Sequence, residues 1–353
     1  MLFNNLPSRP VSAPKVDGWK TTPINDCGEP LVAMGAFSDY PFLLTDAIYS
    51  GQRGSSPYLT TDLDGALITM FARRSVAEAL MAAQSLLPAG LILVINDAYR
   101  PRAVQASLYQ SFYRQLKAKQ PTWDNDQLAS ESQKYVSLPS TNEASPAPHY
   151  TGGAIDLSLA KLPRRHWHKL LKLRRAIVRC HPSQWQLRYR LEMDYQVLSA
   201  RATSLNFGAA FDHGGPASAA MYYEILAATR ALTAPENSAR TNRRMLAAAM
   251  HKAGFSAYEH EWWHYNLGNQ MDARGVGAAF ARYGGIELSS ENHRHNAMRR
   301  QHWTNVLRLA SGERWSPPTS LAEHYAVVLS RLADLRKTNL TPAERIEASM
   351  NMS

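Results

Sequence analysis

Two residues with metal-binding side chains, His149 and Asp156, lie close together in the sequence with Gly152 and Gly153 between them. An imidazole and a carboxylate are both common zinc ligands, and a glycine pair permits a tight turn between them. Residues 154–157 are typical of a short buried strand that would present Asp156. The segment therefore predicts two ligands that converge on one zinc ion, although a hairpin with a surface histidine and a capping aspartate would give the same pattern.

A second group of candidate ligands, at residues 260–264, reads His-Glu-Trp-Trp-His. On a helix, the pattern His-Glu-x-x-His places two imidazoles on one face with a glutamate base beside them. However, Gly254 ends the preceding predicted helix, and residues 255–265 are rich in aromatic side chains, which favours a strand. A strand weakens the case for a zinc site made by both histidines of the motif.

If residues 255–265 form a strand, His264 can join His149 and Asp156 as the third zinc ligand, leaving a fourth position for water. Glu261 then serves as the catalytic base, and His260 has no role in metal binding. A regular strand puts residues three apart on opposite faces, so a twist or bulge is expected between Glu261 and His264.

Arg100 follows the most strongly predicted core strand. Residues 91–95 are a continuous run of leucine, isoleucine and valine, and a helix is predicted to begin two positions after Arg100. A guanidinium placed where a strand gives way to a helix can point into a cleft and donate to a carbonyl oxygen or a carboxylate. An ion pair with Asp97 would explain the residue equally well.

Four motifs, in this order along the chain, resemble those of the D-alanyl-D-alanine dipeptidases, which belong with the zinc D-Ala-D-Ala carboxypeptidases. They are Asp-Ala-Tyr-Arg-Pro at 97–101, His-Tyr-Thr-Gly-Gly-Ala-Ile-Asp at 149–156, Phe-Asp at 211–212 and Glu-Trp-Trp-His at 261–264. The resemblance covers roughly residues 31–285 and implies an α+β fold, with a small, mainly antiparallel sheet flanked by helices.

The resemblance implies hydrolysis of D-alanyl-D-alanine or a closely related D,D-dipeptide, with one zinc ion per chain. It assigns a role to each of six residues: zinc ligation to His149, Asp156 and His264, base catalysis to Glu261, stabilisation of the transition state and substrate contact to Arg100, and binding of the substrate ammonium to Asp212. Family members often carry a serine where this chain has Ala147. The alternative activity is therefore that of a peptidoglycan D,D-carboxypeptidase or endopeptidase acting on longer peptides.

The predicted organisation has three parts: an irregular, proline-containing arm over residues 1–30, a zinc peptidase domain over 31–285 with an insertion at about 160–203, and a helical extension over 286–353. Within them, helices are predicted over 75–87, 102–117, 124–135, 217–232 and 240–252. The helices of the extension would pack on the core or on a second subunit, which would make a homo-oligomer.

The insertion is unusually basic. Residues 157–191 contain ten lysines and arginines and no acidic residue. Such a segment could hold nucleic acid or another polyanion, which would suit a non-catalytic binding protein. More often it is a solvated helix whose long side chains lie over neighbouring apolar surface. The sequence alone therefore argues against a nucleic-acid partner.

Composition bears on the expected zinc ligands, on disulfide bonds and on a membrane or secreted location. The chain has 353 residues, a net charge of +10 and two cysteines, so neither a disulfide framework nor a thiolate-rich zinc site is expected. No apolar run approaches the ~20 residues that span a bilayer. The N-terminal residues lack the apolar core of a secretory signal, so we expect a cytoplasmic protein.

Overall fold

The computed structural model describes residues 10–50, 63–133 and 136–310. The strands, in chain order, are β1 (Leu31–Met34), β2 (Leu44–Thr45), β3 (Met70–Arg73), β4 (Leu91–Asp97), β5 (Ala154–Lys161), β6 (Thr203–Ser204), β7 (Ser256–Tyr258) and β8 (Glu261–Asn266). The helices are α1 (Arg74–Leu86), α2 (Arg102–Lys119), α3 (Asn125–Gln133), α4 (Arg164–Arg179), α5 (Trp185–Ser199), α6 (Tyr222–Thr229), α7 (Ala234–Lys252), α8 (Gln270–Val276) and α9 (Ser290–Ala310).

The main sheet has the strand order β2-β4-β5-β8-β7, and β6 adds a short pairing to β5. β2 runs parallel to β4, and the other pairs in this sheet are antiparallel. β1 and β3 form a separate antiparallel pair. The arrangement confirms the expected α+β fold with a small, mainly antiparallel sheet.

Helices cover both faces of the main sheet. Side chains alternate between the two faces of a strand, so neighbouring residues of β4 enter different apolar clusters. Leu93 packs in a cluster with Leu80 of α1 and Leu246 of α7. Ile92 packs in another cluster with Leu170 of α4. Burial on both sides explains why β4 is apolar along almost its whole length.

The basic insertion and the C-terminal extension contact each other around one loop. Phe37 stacks on Tyr189 of α5 with 5.2 Å between ring centroids, and its ring meets that of His302 of α9 at 4.3 Å. Tyr189 and His302 are also joined by a hydrogen bond of 2.8 Å. The buried pair Arg188–Glu192, 2.6 Å apart, supports the same loop because Glu192 accepts the backbone N–H of Phe37. The part of the predicted helical extension after residue 310 lies outside the described residues.

Most predicted helices are present, with shifted ends. The predictions over 75–87, 102–117 and 124–135 correspond to α1, α2 and α3. The prediction over 217–232 is too long, because α6 begins only at Tyr222. The prediction over 240–252 is too short, because Thr233 and Glu236 form a capping box that starts α7 at Ala234.

Residues 255–265 do not form one continuous strand. They form the hairpin of β7 and β8, with the intervening residues in a turn. The pairing register shifts next to Glu261, so the irregularity expected between Glu261 and His264 lies in the hairpin.

Among the helices in the described parts of the chain, none has the length and apolar character needed to cross a membrane.

Candidate metal centre and active site

Three neighbouring strands bring the candidate site together. In the register of the sheet, Asp156 of β5 is opposite Asp97 of β4 on one side and opposite His264 of β8 on the other. Residues paired across antiparallel strands lie side by side. Sheet pairing therefore brings together carboxylate and imidazole groups from segments that are far apart in the sequence.

His149 reaches this group from a short turn before β5. The turn, Pro148–Thr151, ends at Gly152, whose φ of 71° lies in the left-handed region that favours glycine. A side chain at Gly153 would also meet the carbonyl oxygen of Leu267 at 2.7 Å. The glycine pair thus lets the chain turn tightly enough to place His149 beside β5, as the sequence predicted.

The three predicted zinc ligands converge. One ligand atom from each of His149, Asp156 and His264 lies within 4.8 Å of the other two, and all three residues are buried. Nε2 of His149 is 3.4 Å from Oδ2 of Asp156, and Nδ1 of His264 is 2.9 Å from Oδ1 of Asp156. The two imidazole rings meet edge to face with their centroids 5.0 Å apart.

In both histidines, the outer ring nitrogen, meaning the one that is not next to Asp156, forms a hydrogen bond. These two hydrogen bonds show that the group suits a cation. Nδ1 of His149 lies 2.7 Å from the carbonyl oxygen of Ala98, which can only accept, so Nδ1 carries the proton. Nε2 of His264 lies 3.1 Å from Oδ1 of Asn266. The inner nitrogens then offer lone pairs towards the carboxylate of Asp156, an arrangement that requires a proton or a metal ion. Outer hydrogen bonds of this kind are typical of metal-binding histidines.

Electrostatics at the site favour an ionised Asp156. Burial by itself would raise the pKa of this carboxyl, but the adjacent His149 and His264 hold it well below its ordinary value. Burial by itself would lower the pKa of His264, but the hydrogen bond and charge of Asp156 raise it. Asp156 is therefore an anion at neutral pH, as a metal ligand must be.

Glu261 lies beside the candidate metal-binding group formed by His149, Asp156 and His264. Its side chain is 38% exposed, and its Oε2 is 3.7 Å from Nδ1 of His264. Desolvation is the main cause that raises the pKa of Glu261, and the negative charges of Asp156 and Asp212 act in the same direction. A carboxyl with a raised pKa next to a metal site is suited to exchanging protons with water.

His260 does not take part. Its side chain is 68% exposed and lies 3.8 Å from Glu259, outside the buried group. His260 lies in the turn before β8, and neither that turn nor β8 is helical. It is not among the described residues whose ligand atoms converge, which are His149, Asp156 and His264. The helix that the alternative zinc site on His-Glu-x-x-His requires is therefore absent from this segment.

Arg100 forms an ion pair with Asp97 and also lies at the edge of the candidate site. Its guanidinium donates twice to Asp97, at 2.8 and 2.5 Å, and once to Gln105 at 2.7 Å. Its Nη2 also lies 3.9 Å from Oδ2 of Asp156, and its guanidinium covers the ring of Tyr49. The ion pair with Asp97 thus holds Arg100 at the edge of the site. The three hydrogen bonds use three of the five N–H donors of the guanidinium.

Asp212 is exposed and lies on the loop between β6 and α6. Its φ of 60° is unusual for a residue with a side chain. Its negative charge is close enough to Glu261 to raise the pKa of that group. The structure therefore places Asp212 near the carboxyl of Glu261 but outside the candidate metal-binding group.

Arg243 of α7 holds the loop that carries Asp212. Its buried guanidinium donates to three backbone carbonyls on the two sides of Asp212: 2.9 Å to Phe207, 2.6 Å to Ala217 and 2.8 Å to Ala219. The same guanidinium lies over the rings of Tyr223 and Trp262. Burial lowers the pKa of Arg243 to about 10, so it remains charged at neutral pH.

The sequence analysis missed Asn266, whose side chain supports His264. Asn266 is 1% exposed, and its Oδ1 also accepts a hydrogen bond of 2.7 Å from Asn269. Alternation along β8 gives a signal that could have found it, because a residue two positions after His264 faces the same side of the strand.

Comparison with known proteins gives an independent finding. Residues 42–166 and 193–282 match the protein family described as D-ala-D-ala dipeptidase. The matched segments contain all six predicted site residues, and residues 167–192 fall between them. A D-alanyl-D-alanine dipeptidase from Synechocystis sp. is 24% identical over 263 residues, an alignment that covers 70% of this chain and 86% of that relative.

Proposed function

Because the chain belongs to the D-Ala-D-Ala dipeptidase family, we propose that it hydrolyses D-alanyl-D-alanine or a closely related D,D-dipeptide at a zinc site. The observation that carries the proposal is the convergence of His149, Asp156 and His264 beside Glu261. Two imidazoles and one carboxylate form a donor set that catalytic zinc uses, with the fourth position open. A zinc ion held there would lower the pKa of water towards ~7 and polarise the carbonyl of the peptide bond.

Glu261 acts as the general base and then as the general acid. One of its carboxylate oxygens accepts a proton from the attacking water, and the same group delivers that proton to the departing amine. The desolvation that raises its pKa makes the protonated form easier to reach than for an exposed glutamate. Its partly exposed side chain remains accessible to water and substrate.

Arg100 stabilises the negative charge that develops on the carbonyl oxygen. Its hydrogen bonds to Asp97 and Gln105 fix the guanidinium before substrate binds. A donor that is already oriented costs little reorganisation as the reaction proceeds, so it lowers the barrier to hydrolysis.

Asp212 binds the free ammonium group of the dipeptide. Its carboxylate is exposed and therefore accessible to a substrate, and its charge already acts on Glu261. An ion pair at this end would place the scissile bond at the metal-binding group and favour a free dipeptide over an N-blocked peptide.

The direct test is release of D-alanine from D-alanyl-D-alanine by the purified protein before chelation, after chelation and after zinc is restored. Activity should disappear with the metal and return with it. Glu261→Gln should bind zinc normally and lose about 10²- to 10⁴-fold in kcat, the usual contribution of a general base. Undiminished turnover in Glu261→Gln would exclude Glu261 as the catalytic base. Cleavage of a peptidoglycan pentapeptide without cleavage of the free dipeptide would exclude the proposed dipeptidase activity.

A further inference from the structure

One face of α4 consists of cationic side chains. The exposed lysines and arginines of this helix are Arg164, Arg165, Lys169, Lys172, Arg175 and Arg179, and His168 is exposed among them. At ~100° per residue these positions fall within an arc of roughly 140°. The helix contains no aspartate or glutamate, so the face carries a single sign of charge.

These charges are not neutralised locally. In residues 10–50, 63–133 and 136–310, none of the lysines and arginines of α4 forms an ion pair with a carboxylate. Burial and the nearby charges of Arg165, Arg201 and Lys169 lower the pKa of His166, which shows how closely the cations are grouped. A patch of this kind attracts a polyanion and releases the counterions of both partners on binding.

The opposite face of α4 is already used by the fold. Leu170 and Ile177 are buried against Ile92 and Val94 of β4. A helix that lies in a membrane surface binds by burying its apolar face among lipids, and most apolar side chains of α4 are already packed against the protein, with Val178 exposed. The free face therefore suits a partner that offers charge alone.

The helix is also additional to the peptidase. Residues 167–192, which contain most of α4, lie between the two segments that match the dipeptidase family. The six proposed site residues lie in the matched segments, so the cationic face is not needed to build the catalytic site.

We propose that the exposed face of α4 binds the phosphate backbone of nucleic acid. From Arg164 to Arg179 the helix extends about 22 Å, at 1.5 Å per residue, which is enough to face several consecutive phosphates. Arginine donates to phosphate in a bidentate manner, and four of the six exposed cations are arginines. The arc contains no tryptophan, tyrosine or phenylalanine for base stacking, so binding is independent of base sequence.

The test compares two variants with the same change of composition and charge. Lys169→Gln, Lys172→Gln and Arg175→Gln are combined on α4, and Arg114→Gln, Lys117→Gln and Lys119→Gln are combined on the exposed end of α2. Binding of a labelled 20-nucleotide single-stranded DNA of mixed sequence is measured by fluorescence anisotropy at several NaCl concentrations. Vesicles with an anionic lipid are tested in parallel.

The α4 variant should lose at least about tenfold in DNA affinity at low salt, and its slope of log affinity against log salt should fall by roughly 2, as expected for three lost phosphate contacts. The α2 variant should stay within about twofold of the wild-type protein, and both variants should keep dipeptide hydrolysis. Equal losses in both variants, no DNA binding by the wild-type protein, or α4-dependent binding to vesicles but not to DNA would each overturn the proposal.

Discussion

The donor and acceptor roles of individual nitrogens decide what the metal-binding group can hold. Ala98 and Asn266 accept from the outer nitrogens of His149 and His264, so the inner nitrogens are directed at Asp156. Histidine, aspartate and glutamate in the right order were enough to predict this group from the sequence. The supporting acceptors were harder to predict, because a backbone carbonyl and a buried asparagine carry no metal-binding signature of their own.

Replacement of single histidines should separate the two possible zinc sites. His149→Ala should purify without zinc, because it removes one of three ligands. His260→Ala is the matched control and should keep about one zinc ion per chain, because its side chain is exposed and is not part of the buried group. Metal analysis of both purified variants checks the assignment, and the opposite pattern would return the site to His-Glu-x-x-His.

Asn266 should control zinc affinity without touching the metal. Asn266→Ala removes the acceptor for Nε2 of His264 and should weaken zinc binding about 10- to 100-fold, the usual cost of losing such a partner. Asn266→Asp retains an acceptor and should restore most of the affinity. Competition with a chromogenic chelator measures both, and equal affinity of the alanine variant and the wild-type protein would show that Asn266 has no such role.

At the scale of elements, the sheet could be predicted in part. The β4 and β5 segments are apolar runs, and both strands begin where the sequence places them but extend beyond the predicted ends, by two residues in β4 and four in β5. The hairpin of β7 and β8 was predicted as a single strand, because its turn residues, 259 and 260, are not typical turn formers. Local sequence also cannot show which strands are neighbours, so the pairing of Asp156 with both Asp97 and His264 required the tertiary structure.

The loop of Asp212 depends on α7, which leads to a prediction for Arg243. Arg243→Lys cannot hold three carbonyls in the geometry of a guanidinium, so the loop should loosen. We expect KM for D-alanyl-D-alanine to rise about tenfold, with a smaller change in kcat and unchanged zinc content. Arg244→Lys, in which the neighbouring residue loses part of its contact with Glu224, is the matched control.

A second substrate makes the Arg243 experiment specific. N-acetyl-D-alanyl-D-alanine has no ammonium group for Asp212, so Arg243→Lys and the wild-type protein should hydrolyse it at similar rates. An equal loss with both substrates would mean that Arg243 supports the fold in general rather than the position of Asp212.

At the scale of the whole molecule, the segments outside the family match form a connected unit. Tyr189 and the Arg188–Glu192 pair come from the insertion, and His302 comes from the extension. The sequence indicated that both segments are helical, but it gave no sign that they meet. Contacts between residues more than one hundred positions apart depend on the fold, which local periodicity does not report.

His302 should make stability sensitive to acid. Burial, followed by the charge of Arg299, lowers its pKa from 6.5 to about 3. Below about pH 6.5 the unfolded chain therefore binds a proton at His302 that the folded protein does not bind. The free energy of unfolding consequently falls as the pH falls towards 3, by about 1.4 kcal/mol per pH unit. Urea unfolding at pH 7 and pH 5.5 should show this loss, and His302→Gln should reduce it. An unchanged pH dependence in the variant would contradict the prediction.

The contact between α5 and α9 limits how the chain can be shortened. A fragment that stops at residue 285 would contain both segments that match the dipeptidase family, yet it would leave the rings of Phe37 and Tyr189 uncovered on one side. Such a fragment would expose apolar ring surface that favours aggregation. Anyone who trims the protein for crystallisation or engineering should therefore delete the two accessory segments together or keep both.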